Sequence, residues 1–318
     1  MSTVITNGML SLIDARLRKC AFETRANIPM IYDKVFRTLT TERRYEIVNR
    51  VYGVPQASIV NEGAIYPQQE IKQDSSKTIE MKKFGFRIDV TRELIVDNLF
   101  EPIQDDVAKA MKNSMDQTKE NRAMNVLNNS FTTQLAQDGL SLINTAHTLG
   151  QGGTQTNRSA TDASLDIDAL WEGRNTMKTT KGNSTLFDAV YDAKWIVVPQ
   201  QLERRANELI RSEWLPQVTE NTANVISTLS NMMVATSPLL TSTTGWWLVA
   251  DSSSVLEFAL RFWQREPLQI VAQFEIDTGN SEVGVSTDAD IYSWKCRERY
   301  ETDSPTWFGI YGSAGDDA

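Results

Sequence analysis

Residues 58–100 read SIVNEGAIYPQQEIKQDSSKTIEMKKFGFRIDVTRELIVDNLF, and they contain two strand-like runs on either side of a polar, turn-rich tip. In the second run, apolar residues alternate with polar ones, first at Ile79 and Met81 and then from Phe84 to Val90. Such alternation is typical of a half-buried β-strand. The phase changes once, at Lys82–Lys83, which predicts a β-bulge at that point.

This stretch predicts a long β-hairpin over residues 58–92 that projects from the body of the protein. An isolated hairpin is only marginally stable in water, and the stretch offers no local apolar partners for Phe84, Phe86 and Ile88. We therefore expect the hairpin to bury its apolar side on a neighbouring subunit. The residues expected at this contact are Glu62, Tyr66, Lys72, Lys77, Lys82, Lys83, Phe84 and Phe86.

A long amphipathic helix is predicted from Pro102 to Asn129. The first turn of a helix tolerates proline, and apolar residues recur every four positions from Ile103 to Met115, which indicates one buried edge. The side chains expected to face a sheet of C-terminal strands are Val107, Met111, Met115 and Val126. The charged side chains expected to face solvent or a neighbour are Asp106, Lys109, Lys112 and Lys119.

The second half of the chain alternates short helices with short strands. Helices are predicted over residues 162–181 and 200–211, and apolar strands over 194–199, 232–235 and 246–250. This order predicts a small α/β domain. From residue 291 to 311 the pattern becomes extended again.

Charge is unevenly distributed along the 318 residues, whose formal net charge is −9. Residues 1–50 hold nine Lys/Arg against five Asp/Glu, whereas residues 251–318 hold five against thirteen. One interpretation is two solvated faces of opposite sign. The other is a basic N-terminal arm attracted to acidic surface on neighbouring subunits. The arm residues expected at such a contact are Arg16, Arg18, Lys19, Arg43 and Arg44.

Several classes of protein are disfavoured by the composition. No apolar run approaches the ~20 residues of a membrane span, and the first residues lack the basic and apolar regions of a signal peptide. Two cysteines are too few for a disulfide framework and fit a reducing compartment. One histidine, His147, makes an ordinary zinc site improbable. We expect no catalytic, cofactor-binding or metal residues.

The glycine-rich stretch from residue 139 to 159 lacks the spacing of a phosphate-binding loop. His147 lies in this stretch without an evident nucleophile or orienting partner nearby in sequence. It is therefore interpreted as a turn or packing residue.

Five segments resemble one known family in the same order along the chain. They are NEGA at 61–64, KKFGFRIDVTRELIVDN at 82–98, KWIVVPQQLERRANELI at 194–210, WWLVADSSSVLEFA at 246–259 and YSWKCRERYETDSPTWFGIYGSAG at 292–315. Their order is similar to that of the major capsid proteins of tailed bacteriophages. The resemblance implies an α+β protein with the Hong Kong phage capsid fold.

The resemblance also implies a division of the chain. The expected parts are an N-terminal arm at 1–57, an extended hairpin loop at 58–95, a peripheral domain with a long spine helix at 96–138, a small α/β axial domain at 139–270 and return strands of the peripheral domain at 271–318.

By this resemblance, the expected function is a non-enzymatic capsid protein that self-assembles into an icosahedral shell around a double-stranded DNA phage genome. Its implied partners are copies of itself in hexamers and pentamers, with scaffold, portal and decoration proteins and non-specifically bound DNA on the inner surface, and no membrane. Its implied location is the virion, assembled in the bacterial host cytoplasm. An encapsulin-like, non-viral nanocompartment shell and, less favoured, an α/β enzyme remain as alternatives.

One branch of the family links its subunits through lysine–asparagine isopeptide bonds. Aligning Cys296–Arg299 with the similar run of that branch puts Asp290 in place of the asparagine and Arg297 in place of the catalytic glutamate. A carboxylate lacks the ammonia leaving group, and a guanidinium cannot act as a base at neutral pH. Glu298 is expected to point to the opposite face of its strand. We therefore expect no such cross-link.

Overall fold

The computed structural model describes residues 7–23, 29–51, 59–68, 73–97, 100, 104–149, 153–180, 191–214, 223–229, 231–253, 258–273 and 291–315. Its helices are α1 Asn7–Glu23, α2 Tyr32–Val35, α3 Arg92–Val96, α4 Gln104–Asn128, α5 Ile167–Lys178, α6 Glu203–Arg211 and α7 Val225–Leu229, with a 3₁₀ turn at Gln200–Leu202. Its strands are β1 Arg37–Thr40, β2 Tyr45–Val51, β3 Gln73–Glu80, β4 Lys82–Thr91, β5 His147–Thr148, β6 Thr154–Gln155, β7 Ala193–Pro199, β8 Met233–Ser237, β9 Trp246–Ala250, β10 Arg261–Gln273, β11 Ile291–Asp303 and β12 Ile310–Ser313.

The first four-stranded sheet has the order β1-β10-β11-β4. β11 is antiparallel to both of its neighbours, β10 and β4, and β1 runs parallel to β10. The long helix α4 packs on this sheet, where Met111 and Met115 share a buried cluster with Ile270, Trp294 and Cys296. This contact confirms that the methionine edge of the predicted helix faces the C-terminal strands.

Val126 is buried, in the other large core cluster, which also contains Tyr300 of β11. Two charged side chains of α4 depart from the predicted orientation. Lys112 is half-buried and pairs with Asp116 of the same helix. Lys119 is buried instead of facing solvent, because its ammonium group forms an ion pair with the buried carboxylate of Glu298 on β11. Asp106 and Lys109 are exposed, as expected.

The second four-stranded sheet has the order β12-β9-β7-β8. It contains the three apolar strands that the sequence predicts, and all five residues of β9 are buried. Helices α5 and α6 contribute Leu170, Leu209 and Ile210 to the same core cluster. The prediction of a small α/β unit is thus confirmed at the level of its elements.

The hairpin prediction is wrong about which strands pair. β3 pairs with β2, which lies in the predicted N-terminal arm, and β4 pairs with β11 in the first sheet. The hairpin is therefore β2–β3, and it does not include β4. The change of phase near Lys82 marks a change of sheet rather than a bulge, since β3 ends at Glu80 and β4 begins at Lys82.

The C-terminal strands also divide between the two sheets. β11 is central in the first sheet, whereas β12 pairs with β9 in the second. The expected return strands therefore do not all lie against α4. The expected domain limit at residue 270 falls inside β10, which runs to Gln273; the five-part division otherwise stays a prediction.

Candidate assembly surfaces

The tip of the β2–β3 hairpin exposes large apolar side chains. Ile59, Ile65 and Tyr66 are 96%, 94% and 81% exposed. A turn precedes Ile65, with the amide of Ala64 donating to the carbonyl of Asn61 at 3.0 Å. Glu62 is also exposed. Clustered apolar exposure of this kind marks an interaction surface, so the tip, defined here as residues 59–68, remains a candidate subunit contact.

The base of the hairpin is attached to the body of the same chain through Lys77. Its ammonium group donates to Asp303 Oδ1 at 2.7 Å, to the carbonyl of Leu135 at 2.7 Å and to the carbonyl of Ser304 at 3.2 Å. Lys77 is thus engaged within its own subunit, although the sequence reading placed it at a neighbour. Lys72 lies outside the described residues.

Phe84 and Phe86 require a correction. Phe84 stacks on Tyr300 with ring centroids 4.4 Å apart, and Phe86 lies opposite Cys296 and packs against the cluster beneath α4. Their apolar partners come from β11, more than 200 residues later in the chain, so local sequence gave no sign of them. Lys82 also pairs within the chain, with Glu301 at 3.1 Å, while Lys83 is exposed.

The basic residues of the N-terminal segment divide into paired and exposed groups. Helix α1 packs on α4 through Leu17 and Ala21. Arg16 donates two 3.0 Å hydrogen bonds to Asp105, and these bonds hold the pKa of that carboxyl below its usual value.

Arg18 pairs with Asp14, and Arg44 pairs with Glu80. Lys19 and Arg43 are exposed and form no ion pair among the described residues. Of the five arm cations predicted at a subunit contact, these two remain candidates for it.

A layer of buried charge lies between the C-terminal half of α4 and the first sheet, and sequence reasoning missed it. Lys119 and Glu298 meet at 2.7 Å with side chains 10% and 0% exposed. Burial raises the pKa of Glu298, while Lys119 lowers it. Arg122 pairs with Glu301 in the same layer. The orientation of Glu298, opposite to Arg297 on its strand, was predictable from strand alternation and is confirmed.

Glu120 joins this layer without a cation among the described residues. Both of its carboxylate oxygens accept the amide of Ile31 at 3.1 Å, and one also accepts the amide of Tyr32 at 3.2 Å. Burial raises the pKa of Glu120 to about 7, although the two backbone amides act in the opposite direction. A fully buried carboxyl group thus holds residues 31–32 of the N-terminal segment against α4.

His147 packs in the interior. Its Nδ1 lies 2.6 Å from Asp138 Oδ2, and its ring stacks on Trp307 with centroids 4.6 Å apart. The side chain is fully buried, which confirms the interpretation as a packing residue. Among the described residues, no group of His, Cys, Asp and Glu is arranged to hold a metal ion. Nor does any described helix have the length and apolar character to cross a bilayer.

A family model described as phage capsid protein matches residues 74–311, about three quarters of the chain. A search of curated proteins finds no significant match. The fold is similar to that of a chain from Mycobacterium phage Adephagia (TM-score 0.55, 10% identity, 99% of both chains covered). It is also similar to a chain from Microbacterium phage Oxtober96 (TM-score 0.54, 11% identity, 92% of both chains). A third match is the bacteriophage JBD30 capsid (TM-score 0.50, 11% identity, 98% of this chain and 73% of that one).

Proposed function

The chain belongs to the phage capsid protein family, and we propose an arrangement by which its copies join. It is a major capsid protein with the Hong Kong phage capsid fold, and it forms the viral shell. Hexamers and pentamers form through the hairpin tip of one copy on the body of the next, with Lys19 and Arg43 contacting a further copy. The particle encloses a double-stranded DNA genome and assembles in the cytoplasm of the bacterial host. Scaffold, portal and decoration proteins are further partners.

The observation that supports this arrangement is the exposure of Ile65 and Tyr66 on a hairpin held to its body at the base. Burying apolar surface contributes about 25 cal/mol per Å², so the tip gains stability when a second copy covers it. Small rigid units joined by such extended segments also tolerate the slightly different environments of a closed shell. The chain itself carries no catalysis in this role.

The test is assembly of a variant with Ile65→Asp and Tyr66→Asp. We expect soluble, folded subunits that form few closed particles in electron micrographs, because a charge would be buried at the contact. Thr132→Asp, an exposed change in the body, is the matched control and should assemble normally. Normal particles from the tip variant would contradict the proposed contact.

Micrographs of particles produced during phage infection also separate a viral head from a nanocompartment. Heads filled with nuclease-protected DNA support the proposal. Particles that never contain a genome would favour the nanocompartment.

We also propose a shell without isopeptide cross-links. Arg297 is held by Gln269, with Nε and Nη2 at 2.9 Å and 2.7 Å from its Oε1, so a fixed guanidinium occupies the position of the base. Asp290 lies outside the described residues. Mature particles boiled in detergent should run as one band near the chain mass of 35.8 kDa. A ladder of covalent oligomers would show that another pair of residues forms the link.

A further inference from the structure

The face of the first sheet that points away from α4 is rich in positive charge. Trp294, Cys296 and Glu298 of β11 are buried on the α4 side. Side chains alternate along a strand, so Lys295, Arg297 and Arg299 point to the other side. Residues directly opposite each other in an antiparallel pair share a face. β4 therefore adds Lys83 and Arg87 to the same side.

Four of these five cations form two directly opposed pairs. Arg87 is the register partner of Lys295, and Lys83 is the register partner of Arg299. Like charges in such positions destabilise a sheet. Neither pair improves the folding of the subunit, which indicates a role outside it.

Gly85 lies between the two pairs, opposite Arg297. A Cβ at this position would come within 2.4 Å of the carbonyl oxygen of Cys296. A residue without a side chain is therefore required there, so β4 places no side chain directly opposite Arg297.

The charges on this face are only partly neutralised. Arg299 pairs with Glu266 at 3.1 Å, and Arg87 pairs with Asp89 at 2.8 Å. The partner of Arg297 is the uncharged amide of Gln269. Lys83 and Lys295 form no ion pair among the described residues. Five cations thus meet two carboxylates on one side of the sheet.

We propose that this basic sheet face, defined by Lys83, Arg87, Lys295, Arg297 and Arg299, docks the acidic segment 274–290 of a second copy of the chain. Residues 274–290 contain five Asp/Glu and no Lys/Arg. The chain as a whole has a net charge of −9, so every additional copy brings a complementary surface. The inference rests on the proposed shell and specifies one contact within it.

A polypeptide partner fits this face better than a nucleic acid does. The carboxylates of Asp89 and Glu266 lie among the cations, and they would repel a phosphate backbone but can accept hydrogen bonds from a protein. An acidic subunit is also unfavourable for binding DNA, because contact with the phosphate backbone depends on neutralising its charge. Each copy of the chain carries one acidic segment and one basic sheet face, so every face in an assembly has a segment available to bind it.

The first arm of the test uses charge reversal of the two unpaired lysines, Lys83→Glu with Lys295→Glu. Each change replaces a like-charge pair with an attractive one, so the melting temperature of the subunit should stay the same or rise. Assembly should nevertheless fall by about tenfold in particle yield, since an attraction becomes a repulsion. Arg204→Glu with Arg211→Glu, exposed changes on α6, controls for net charge.

The reciprocal variant reverses the segment, with Glu275→Lys, Asp277→Lys and Glu282→Lys. It should assemble poorly alone and recover when combined with the lysine reversals. Recovery of the combined variant is a result that a merely structural role for either region would not produce. Normal assembly of the lysine variant, or failure of the combination while both single sets remain folded, would overturn the proposal.

The second arm does not depend on shell formation. A labelled peptide of residues 274–290 is titrated with unassembled full-length subunit and followed by fluorescence anisotropy, beside a double-stranded DNA oligonucleotide. We expect salt-sensitive peptide binding that weakens at least tenfold in the lysine variant. If the subunit binds the peptide but never forms closed particles in electron micrographs under any assembly condition, the proposed function alone is refuted. Equal peptide binding by both proteins, or loss of DNA binding only, would refute the docking inference.

Discussion

The hairpin tip and strand β9 are both rich in apolar residues, yet they differ completely in where those residues lie. In β9, Trp246, Trp247 and Leu248 are buried by their own chain. In the tip, Ile65 and Tyr66 are almost fully exposed. An apolar sequence therefore indicates that its side chains become buried, but it does not indicate whether their own chain or a neighbouring subunit buries them. β9 stabilises the subunit, whereas the tip has stability to gain only from a neighbour.

The largest effect should come from the β9 side of this comparison. Trp247→Ala removes a fully buried ring whose Nε1 donates to Ser130 Oγ at 3.0 Å. Removal of such a side chain costs about 3–5 kcal/mol, enough to leave a marginal domain largely unfolded. Chemical denaturation of unassembled subunits measures the change. A loss below about 1 kcal/mol would mean that the second sheet is not the stabilising core.

A somewhat smaller effect is expected in the charged layer beneath α4. Lys119→Ala leaves Glu298 buried without its cation, and breaking a buried pair in this way costs about 3 kcal/mol. Lys109→Ala, on the exposed side of the same helix, should cost less than about 0.5 kcal/mol. Similar unfolding curves for the two variants would show that the Lys119 ion pair does not stabilise the folded subunit.

Glu120 should make stability depend on pH. Its raised pKa means that the folded protein binds this proton more tightly than the unfolded chain does. Folding stability should therefore fall as the pH rises from about 4.5 to about 7 and then level off. Glu120→Gln keeps an amide oxygen for Ile31 but cannot ionise, so it should lose this contribution, roughly 2 kcal/mol between pH 5 and pH 8.

The measurement is the difference in unfolding free energy between wild type and Glu120→Gln at several pH values. Glu172→Gln, on the exposed side of α5, is the control and should follow the wild-type profile. If the Glu120→Gln profile also runs parallel to wild type, Glu120 is already ionised in the folded state at pH 5.

The smallest effect on the subunit should come from the tip. Ile65→Ala removes a side chain that is 94% exposed, so its unfolding free energy should change by less than about 0.5 kcal/mol. The same substitution should lower particle yield, which sedimentation can quantify. A clear loss of subunit stability would show that the tip packs on its own chain and would remove the contrast with β9.

The sequence predicted those elements whose partners lie nearby or whose periodicity is strong. The long helix ends one residue before its predicted end, and its predicted first residues, 102–103, lie outside the described residues. β7 and β9 lie where short apolar runs predicted them. The pairing of the strands could not be predicted from the sequence in the same way. Nothing in the alternation of β4 indicates that its partner is β11, some 200 residues later.

The charged groups were also beyond sequence reasoning. Lys119 looks like a surface residue because its neighbours on α4 are charged, and only the approach of Glu298 explains its burial. The basic sheet face is formed by two strands that are distant in sequence, so no continuous run of basic residues indicates it. The lack of local apolar partners was a poor guide, because Phe84 and Phe86, to which it applied, pack within their own chain.

The division of the C-terminal strands between the two sheets has a consequence for the timing of biosynthesis. β11 fills the centre of the first sheet, and β12 completes the second at β9. On the ribosome, neither sheet can close until residues 291–313 have been translated and released from the exit tunnel. Nascent chains therefore expose unfinished sheets rather than competent contact surfaces. A subunit therefore joins a growing particle only after its chain has been completed. Incomplete chains still bound to ribosomes are thereby prevented from entering the particle and blocking its assembly.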